Sequence, residues 1–231
     1  RPRRDSRKER DIGVEGVKQQ VVGYTIDLAL DGLMRAKLGY YQISRKGMGQ
    51  FRAAPTVQRW MHQCTYHAHC DVCKCYDSIS CDVVRRILRK YVRDKVVLGM
   101  VDAVLASYPD GHLMIGSYLS MRLAHLVLSF GYHFVENLHK ERRGRRRALV
   151  DHQVWYADDV WLFGDDKRDL KRAIRQLERY FRDDFCLALK PWKISRSDIP
   201  DRSVGKRRLK MAEPADIAGP VVDRDRITIR A

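Results

Sequence analysis

Apolar residues recur at helical spacing over several long stretches of the chain and gather into short clusters elsewhere. Residues 14–37 predict a helix that buries Val17, Val21, Tyr24 and Leu28 on one face. Lys46, Gly47, Met48 and Gly49 read as a loop, and residues 55–64 as a short helix opened by Pro55 in its first turn. Residues 83–104 predict a helical stretch broken near Arg93 and Asp94, with Val84, Leu88, Val97, Val101 and Val104 inward. Residues 117–138 predict a long helix striped by Leu119, Leu123, Leu126 and Phe130. Residues 169–184 predict an amphipathic one that buries Leu170, Ile174, Leu177 and Phe181. The shorter clusters read as strands: residues 70–75, residues 186–190, and a hairpin of 153–156 with 160–163 around Ala157, Asp158 and Asp159. A closing hairpin is expected from 217–222 and 227–230. Helices and strands in this irregular order predict an α+β fold, a sheet with helices packed on one face.

Composition narrows the class. The 231 residues are 45% hydrophobic and 32% charged, which excludes wholesale disorder and any collagen-like or low-complexity chain. That length allows one domain or two closely joined ones. Apolar runs such as residues 96–100 fall far short of a bilayer span, so a soluble protein is expected. Six cysteines without an apolar signal segment predict reduced thiols in a cytoplasmic setting. With 45 Lys and Arg against 29 Asp and Glu, the formal charge is +16, which points to a polyanionic partner, most simply nucleic acid. The basic residues cluster in residues 1–10, 139–147 and 206–210. One such run fits a solvated loop, but three of the same sign favour a polyanion-binding surface. In the middle run, Arg142, Arg143, Arg145, Arg146 and Arg147 are candidates to track a nucleic-acid backbone, and they fit a solvated hairpin tip equally.

Two adjacent acids in apolar surroundings are costly to hold together without a cation. Asp158 and Asp159 lie between Val154-Trp155 and Val160-Trp161-Leu162-Phe163, and Asp71 sits in the apolar segment Cys70-Asp71-Val72-Cys73. Brought side by side, the three carboxylates could hold two Mg²⁺ ions about 4 Å apart, with Mn²⁺ as a substitute, an arrangement suited to nucleotidyl transfer. The competing reading is a plain turn, because Asp favours turns. His67, His69, Cys70, Cys73 and Cys75 superficially suggest zinc. No second Cys pair stands at finger spacing, and strand alternation would place Cys73 and Cys75 opposite Cys70, so small buried thiols filling a strand are the better reading.

Seven segments then occur in a recognisable order. Lys8-Glu9-Arg10-Asp11-Ile12 resembles a K-x-R-x-I fingers segment, and Gly47-Met48-Gly49-Gln50 with Phe51-Arg52 the glycine-containing loop that follows it. Asp71 to Ile79 (DVCKCYDSI) resembles a catalytic-strand motif, and Gly111 to Ser120 (GHLMIGSYLS) a positioning motif G-x-P-x-G-x-x-x-S-Q. Tyr156-Ala157-Asp158-Asp159 matches a YxDD box. Leu187 to Lys193 resembles L-x-L-x-x-x-K, and Ile217-Ala218-Gly219-Pro220 resembles the F-L-G-Y primer-grip hairpin. Together these resemble the reverse transcriptases of bacterial and phage retroelements, among them group II intron-like, diversity-generating and defence-associated enzymes. Met114 and Met121 stand where that family usually has Pro and Gln.

The resemblance implies a right-hand polymerase: fingers over residues 1–69, an antiparallel palm over 70–215 and a primer-grip-like hairpin over 216–231. The thumb that normally follows would be truncated or supplied by a partner. It implies a cytoplasmic RNA-directed DNA polymerase of a prokaryotic retroelement or defence system. The metal ligands would be Asp71, Asp158, the more peripheral Asp159 and the Val72 carbonyl. Lys193 would protonate pyrophosphate, while Lys8, Arg10, Arg52, Tyr76 and Gly116 would contact the nucleotide. Implied partners are an RNA template, a DNA or RNA primer, deoxynucleoside triphosphates and a structured non-coding RNA. An RNA-dependent RNA polymerase, a palm that only binds RNA, and untemplated or protein-primed DNA synthesis are the other readings.

Overall fold

The computed structural model describes residues 12–197, 215–216, 220–222 and 225–229. Its elements are α1 (Val17–Lys37), α2 (Gly49–Gln63), β1 (Tyr66–Asp71), α3 (Cys75–Ser78), α4 (Cys81–Tyr91) and α5 (Lys95–Ala106). They continue with α6 (Tyr118–Glu136), β2 (His139–Arg142), β3 (Arg145–Ala148), β4 (His152–Tyr156), β5 (Asp159–Gly164) and α7 (Lys167–Phe185). The chain closes with β6 (Lys193–Arg196), β7 (Ala215–Asp216), β8 (Pro220–Val222) and β9 (Ile227–Ile229).

Side-chain caps explain where several helices begin. The break expected near residue 93 is real: Asp94 accepts from the N–H groups of Val96 and Val97 and starts α5 as a separate helix. Ser80, Ser117 and Asp166 cap α4, α6 and α7 in the same way. Two helices differ from expectation. Pro55 lies inside α2 rather than in its first turn. Phe51, whose carbonyl loses its bond there, and Pro55 are both exposed, a position where water can satisfy that group.

In α1 the buried residues are Gly23, Ile26, Leu30 and Met34, while Val17, Val21, Tyr24 and Leu28 face solvent. Both stripes satisfy helical periodicity. The inner one is selected by polar anchoring, since Asp27 accepts from Arg122 and from the Tyr118 hydroxyl on α6, each at 2.6 Å.

The main sheet is antiparallel with strand order β4-β5-β1-β6. Helices do not cover one face alone. Trp155, Val160 and Leu162 join the large core formed with α1 and α4–α7, whereas Val154, Trp161 and Phe163 join a second core with α2 and the β7-β8-β9 sheet. Strand β5 is apolar on both sides from Val160 to Phe163, and a strand of that kind needs cover on both. The β2–β3 hairpin forms its own two-stranded sheet.

Two strand expectations are corrected. Strand β1 ends at Asp71, and the chain turns through Lys74 at φ 43° into α3, so Cys73 and Cys75 are not strand residues. Residues 186–190 form no regular strand: Cys186 is the left-handed cap of α7, and Leu189 makes only an isolated bridge to Val72. The strand that pairs with β1 there is β6, further on. The pairing of β8 with β9 agrees with a closing hairpin, although Ile217, Ala218, Gly219 and Arg230 lie outside the described residues. Among the described residues, no helix is long and apolar enough to cross a membrane.

Candidate active site at the carboxylate hairpin

The register of the central sheet sets Asp71, the last residue of β1, directly opposite Asp159, the first of β5. The backbone adds a second tie, because the Val72 N–H donates to the Asp158 carbonyl at 3.1 Å. Tyr156 pairs with Asp159, so Ala157 and Asp158 alone make the β4–β5 turn. Ala157 adopts φ 49°, an uncommon conformation for a residue with a Cβ, which fixes Asp158 at the sheet end between β1 and β5. Asp71, Asp158 and Asp159, together with Val72, are therefore brought to one end of the sheet.

Their charges are unevenly balanced. Burial pushes the Asp158 carboxyl above its ordinary range, and the charges of Asp71 and Asp159 push it further against the opposing Lys190. Asp71 receives the Lys190 ammonium on Oδ2 at 2.6 Å, while its Oδ1 is buried with no hydrogen-bond partner. Asp159 Oδ1 lies 3.0 Å from His69 Nε2, and the His69 ring stacks on Trp161 with centroids 4.3 Å apart. Among the described residues, no three His, Cys, Asp or Glu side chains are gathered as a ready metal cage. Two of the three carboxylates are instead turned to Lys190 and His69. Burial pushes the Cys70 and Cys75 thiols up to about 12, which agrees with their packing in the large core.

Lys190 was not singled out in the sequence, and His69 was weighed there only as a zinc candidate, not as a neighbour of the carboxylates. Lys190 precedes the expected Lys193 by three residues, and it reaches Asp71 because the Lys190 N–H bonds the Asp71 carbonyl and the Cys73 N–H bonds the Ala188 carbonyl. Lys193 is exposed on β6, across from His69. A signal for His69 existed: two residues before Asp71 on one strand, it shares that residue's face. Lys190→Met should lower the melting temperature, and the loss should shrink in an Asp71→Asn background. A double-mutant cycle by thermal unfolding should give a coupling of about 1 kcal/mol for this part-exposed pair. Additive effects would mean that the contact contributes nothing.

Tyr76 is half-buried in α3, and its hydroxyl is pushed up to about 12 by burial, then by Cys75, Asp158 and Tyr156. Its hydroxyl thus feels the charge of Asp158. Gly116 has φ 98°, and a Cβ there would lie 2.4 Å from the Gly13 carbonyl oxygen. The close approach it permits is that of the N-terminal segment, whose Gly13 N–H bonds the Ile115 carbonyl at 2.8 Å. Arg52 is exposed on α2 with its guanidinium on the Gly47 carbonyl. Arg142, Arg143, Arg145, Arg146 and Arg147 belong to the separate β2–β3 hairpin. Lys8, Arg10 and the run at residues 206–210 lie outside the described residues.

Solved structures share this architecture. A telomerase from Candida albicans, in complex with a TWJ fragment of telomeric RNA, aligns with TM-score 0.54 and 12% identity over 92% of this chain and 37% of that one. A telomerase from Candida tropicalis, truncated from its C-terminal domain, gives TM-score 0.57 and 11% identity over 91% of this chain and 45% of that one. The chain thus spans less than half the length of these structures, and at such identity the likeness concerns the fold alone, which is coarsely that shared with these telomerases. The sequence matches no protein-family model and no curated protein.

Proposed function

We propose that the protein is an RNA-directed DNA polymerase of the prokaryotic retroelement type, extending a primer on an RNA template by metal-assisted nucleotidyl transfer. The observation that carries this reading is the meeting of Asp71, Asp158 and Asp159 at one sheet end, with an orphaned buried oxygen on Asp71 and a carboxyl on Asp158 that is already disfavoured as an anion. Both features suit a divalent cation. Asp71 and Asp158 would hold Mg²⁺, with Asp159 and the Val72 carbonyl at the margin. Bound Mg²⁺ supplies charge neutralisation for the displacement in which the primer 3′-oxygen bonds the α-phosphorus and pyrophosphate leaves. The chain's own cations would complete the site: Lys190, which stands against Asp71, and Lys193, across from His69 on β1, would meet negative charge as it develops on the leaving group. Lys8 and Arg10, which would meet the triphosphate, are assigned that role on the sequence resemblance alone. A prokaryotic mobility, mutagenesis or defence setting rests on the sequence resemblance alone.

Tyr76 distinguishes this reading from an RNA-directed RNA polymerase. The aromatic ring of Tyr76, five residues after Asp71 and within reach of the Asp158 charge, would leave little room for a ribose 2′-hydroxyl, and a displacement of about 1 Å at the reacting atoms can cost on the order of a hundredfold in rate. Tyr76→Ala should raise ribonucleotide over deoxynucleotide incorporation in competition assays while the protein stays folded. Unchanged discrimination in the folded variant, or a wild type that already prefers ribonucleotides, would favour the RNA polymerase.

A further inference from the structure

Every residue from Glu141 to Ala148 is exposed, so the β2–β3 ribbon contributes nothing to either core beyond its base. Its turn residues Arg143 and Gly144 have φ 52° and 70°, the left-handed pair that a tight two-residue hairpin requires. In the register, Arg142 faces Arg145 and Lys140 faces Arg147, and strand alternation places all four on one side of the ribbon. Like charges directly opposite one another destabilise a two-stranded sheet. Lys140 is relieved by an ion pair with Asp169 at the ribbon's base. Among the described residues, the side chains of Arg142, Arg143, Arg145 and Arg147 have no hydrogen-bond or ion-pair partner, and they line a cavity of about 560 Å³.

We infer that this arginine face is a clamp for the phosphate backbone of nucleic acid, separate from the carboxylate site. Three features select that ligand. The cations next to the turn are all Arg, whose planar fork meets phosphate oxygens in pairs. Alternate residues along a strand advance about 6.6–6.8 Å, a step comparable with that between successive phosphates of one strand, so the ladder suits a regular anionic polymer. A membrane-binding ribbon would carry apolar side chains beside its cations, and residues 141–147 contain none. Contacts of this kind read no sequence and depend steeply on salt. The clamp does not require the polymerase reading, because it concerns binding alone.

The test titrates the full chain against a labelled RNA–DNA hybrid and a scrambled one over a series of salt concentrations. Replacing Arg142, Arg143, Arg145 and Arg147 by Ser should reduce the slope of log affinity against log salt by about 3, equally for both sequences. Its melting temperature should not fall, since opposed like charges are removed. Replacing the exposed Lys18, Arg35, Arg59 and Arg179 by Ser removes the same charge and should leave the slope within about one unit of wild type. Asp158→Asn should keep the wild-type slope, which separates this outcome from any failure of catalysis. An unchanged slope in the first variant, or an equal fall in the scattered one, would overturn the clamp. So would lost affinity for polyglutamate with hybrid binding retained, which would assign an acidic protein partner. Should the fourfold variant not fold, Arg142→Ser with Arg145→Ser should give about half the effect, and no effect in that folded pair would be equally fatal.

Discussion

Asp158→Asn should melt at a higher temperature than the wild type while losing nucleotidyl transfer about a thousandfold or more. The two effects share a cause. Burial and the neighbouring Asp71 and Asp159 raise the Asp158 carboxyl above its ordinary range, so the folded protein holds that proton more tightly than the unfolded chain does. The associated stability is fully present below the unfolded carboxylate range and is lost as pH rises through the shifted value. At neutral pH the wild type therefore carries an ionised group that its fold disfavours, and the neutral amide does not. The gap in melting temperature should close as pH falls below about 4. Asp71→Asn should be equally inactive but less stable than wild type, because it removes the partner of Lys190. Added Mg²⁺ should raise the melting temperature of the wild type and leave Asp158→Asn nearly unmoved, since a ligand of the native state stabilises only the protein that binds it. Thermal melts from about pH 3 to 8, with and without Mg²⁺, check all of this. A variant that melts lower than wild type at neutral pH would remove the electrostatic account, and one that retains most activity would remove the metal assignment.

Phe181→Ala should cost about 3–5 kcal/mol, enough to lower the melting temperature by roughly 10 °C in a chain of this size. Phe181 is fully buried and lies edge-on to Trp155, with centroids 6.1 Å apart, and to Phe185. Its ring occupies the space left by Gly131 on α6, where a Cβ would come within 2.4 Å of it. Helix, strand and glycine surround it on rigid backbone, so the cavity cannot close by side-chain rotation alone. Trp155 is the residue before Tyr156, which links this core to the Asp158 turn. Activity should nevertheless fall only in step with the unfolded fraction, with KM near wild type below the new transition. Calorimetry beside steady-state kinetics checks it. A loss under 1 kcal/mol would show that α7 is not what holds the catalytic hairpin from behind.

Much of this architecture was legible because several independent signals coincided. Leu170, Ile174, Leu177 and Phe181 gave α7 its stripe, and Asp158-Asp159 between two apolar strands gave the hairpin that the register of β4 and β5 confirms. Where one signal stood alone, it misled. Periodicity in α1 is satisfied by two stripes, and the inner one is chosen by Asp27 meeting Arg122 and Tyr118 from a helix some ninety residues away in the chain. The unbroken apolar run of β5 already implied cover on both faces, yet only α2 and the terminal small sheet reveal what supplies it. Lys190 was hidden for a different reason. Its role comes from bridging between residues 71–73 and 188–190, a pairing that no local pattern announces. The approach of Gly13 to Gly116 is another long-range contact invisible to spacing.

The most direct measurement of the central claim is primer extension by the purified full chain on a primed RNA template, with Mg²⁺ and deoxynucleotides, beside Asp158→Asn. The expected result is template-encoded DNA product from the wild type, abolished by chelation and absent from the folded variant. Equal product from both proteins, or a wild type that binds the primed template and extends it only with ribonucleotides, would contradict it.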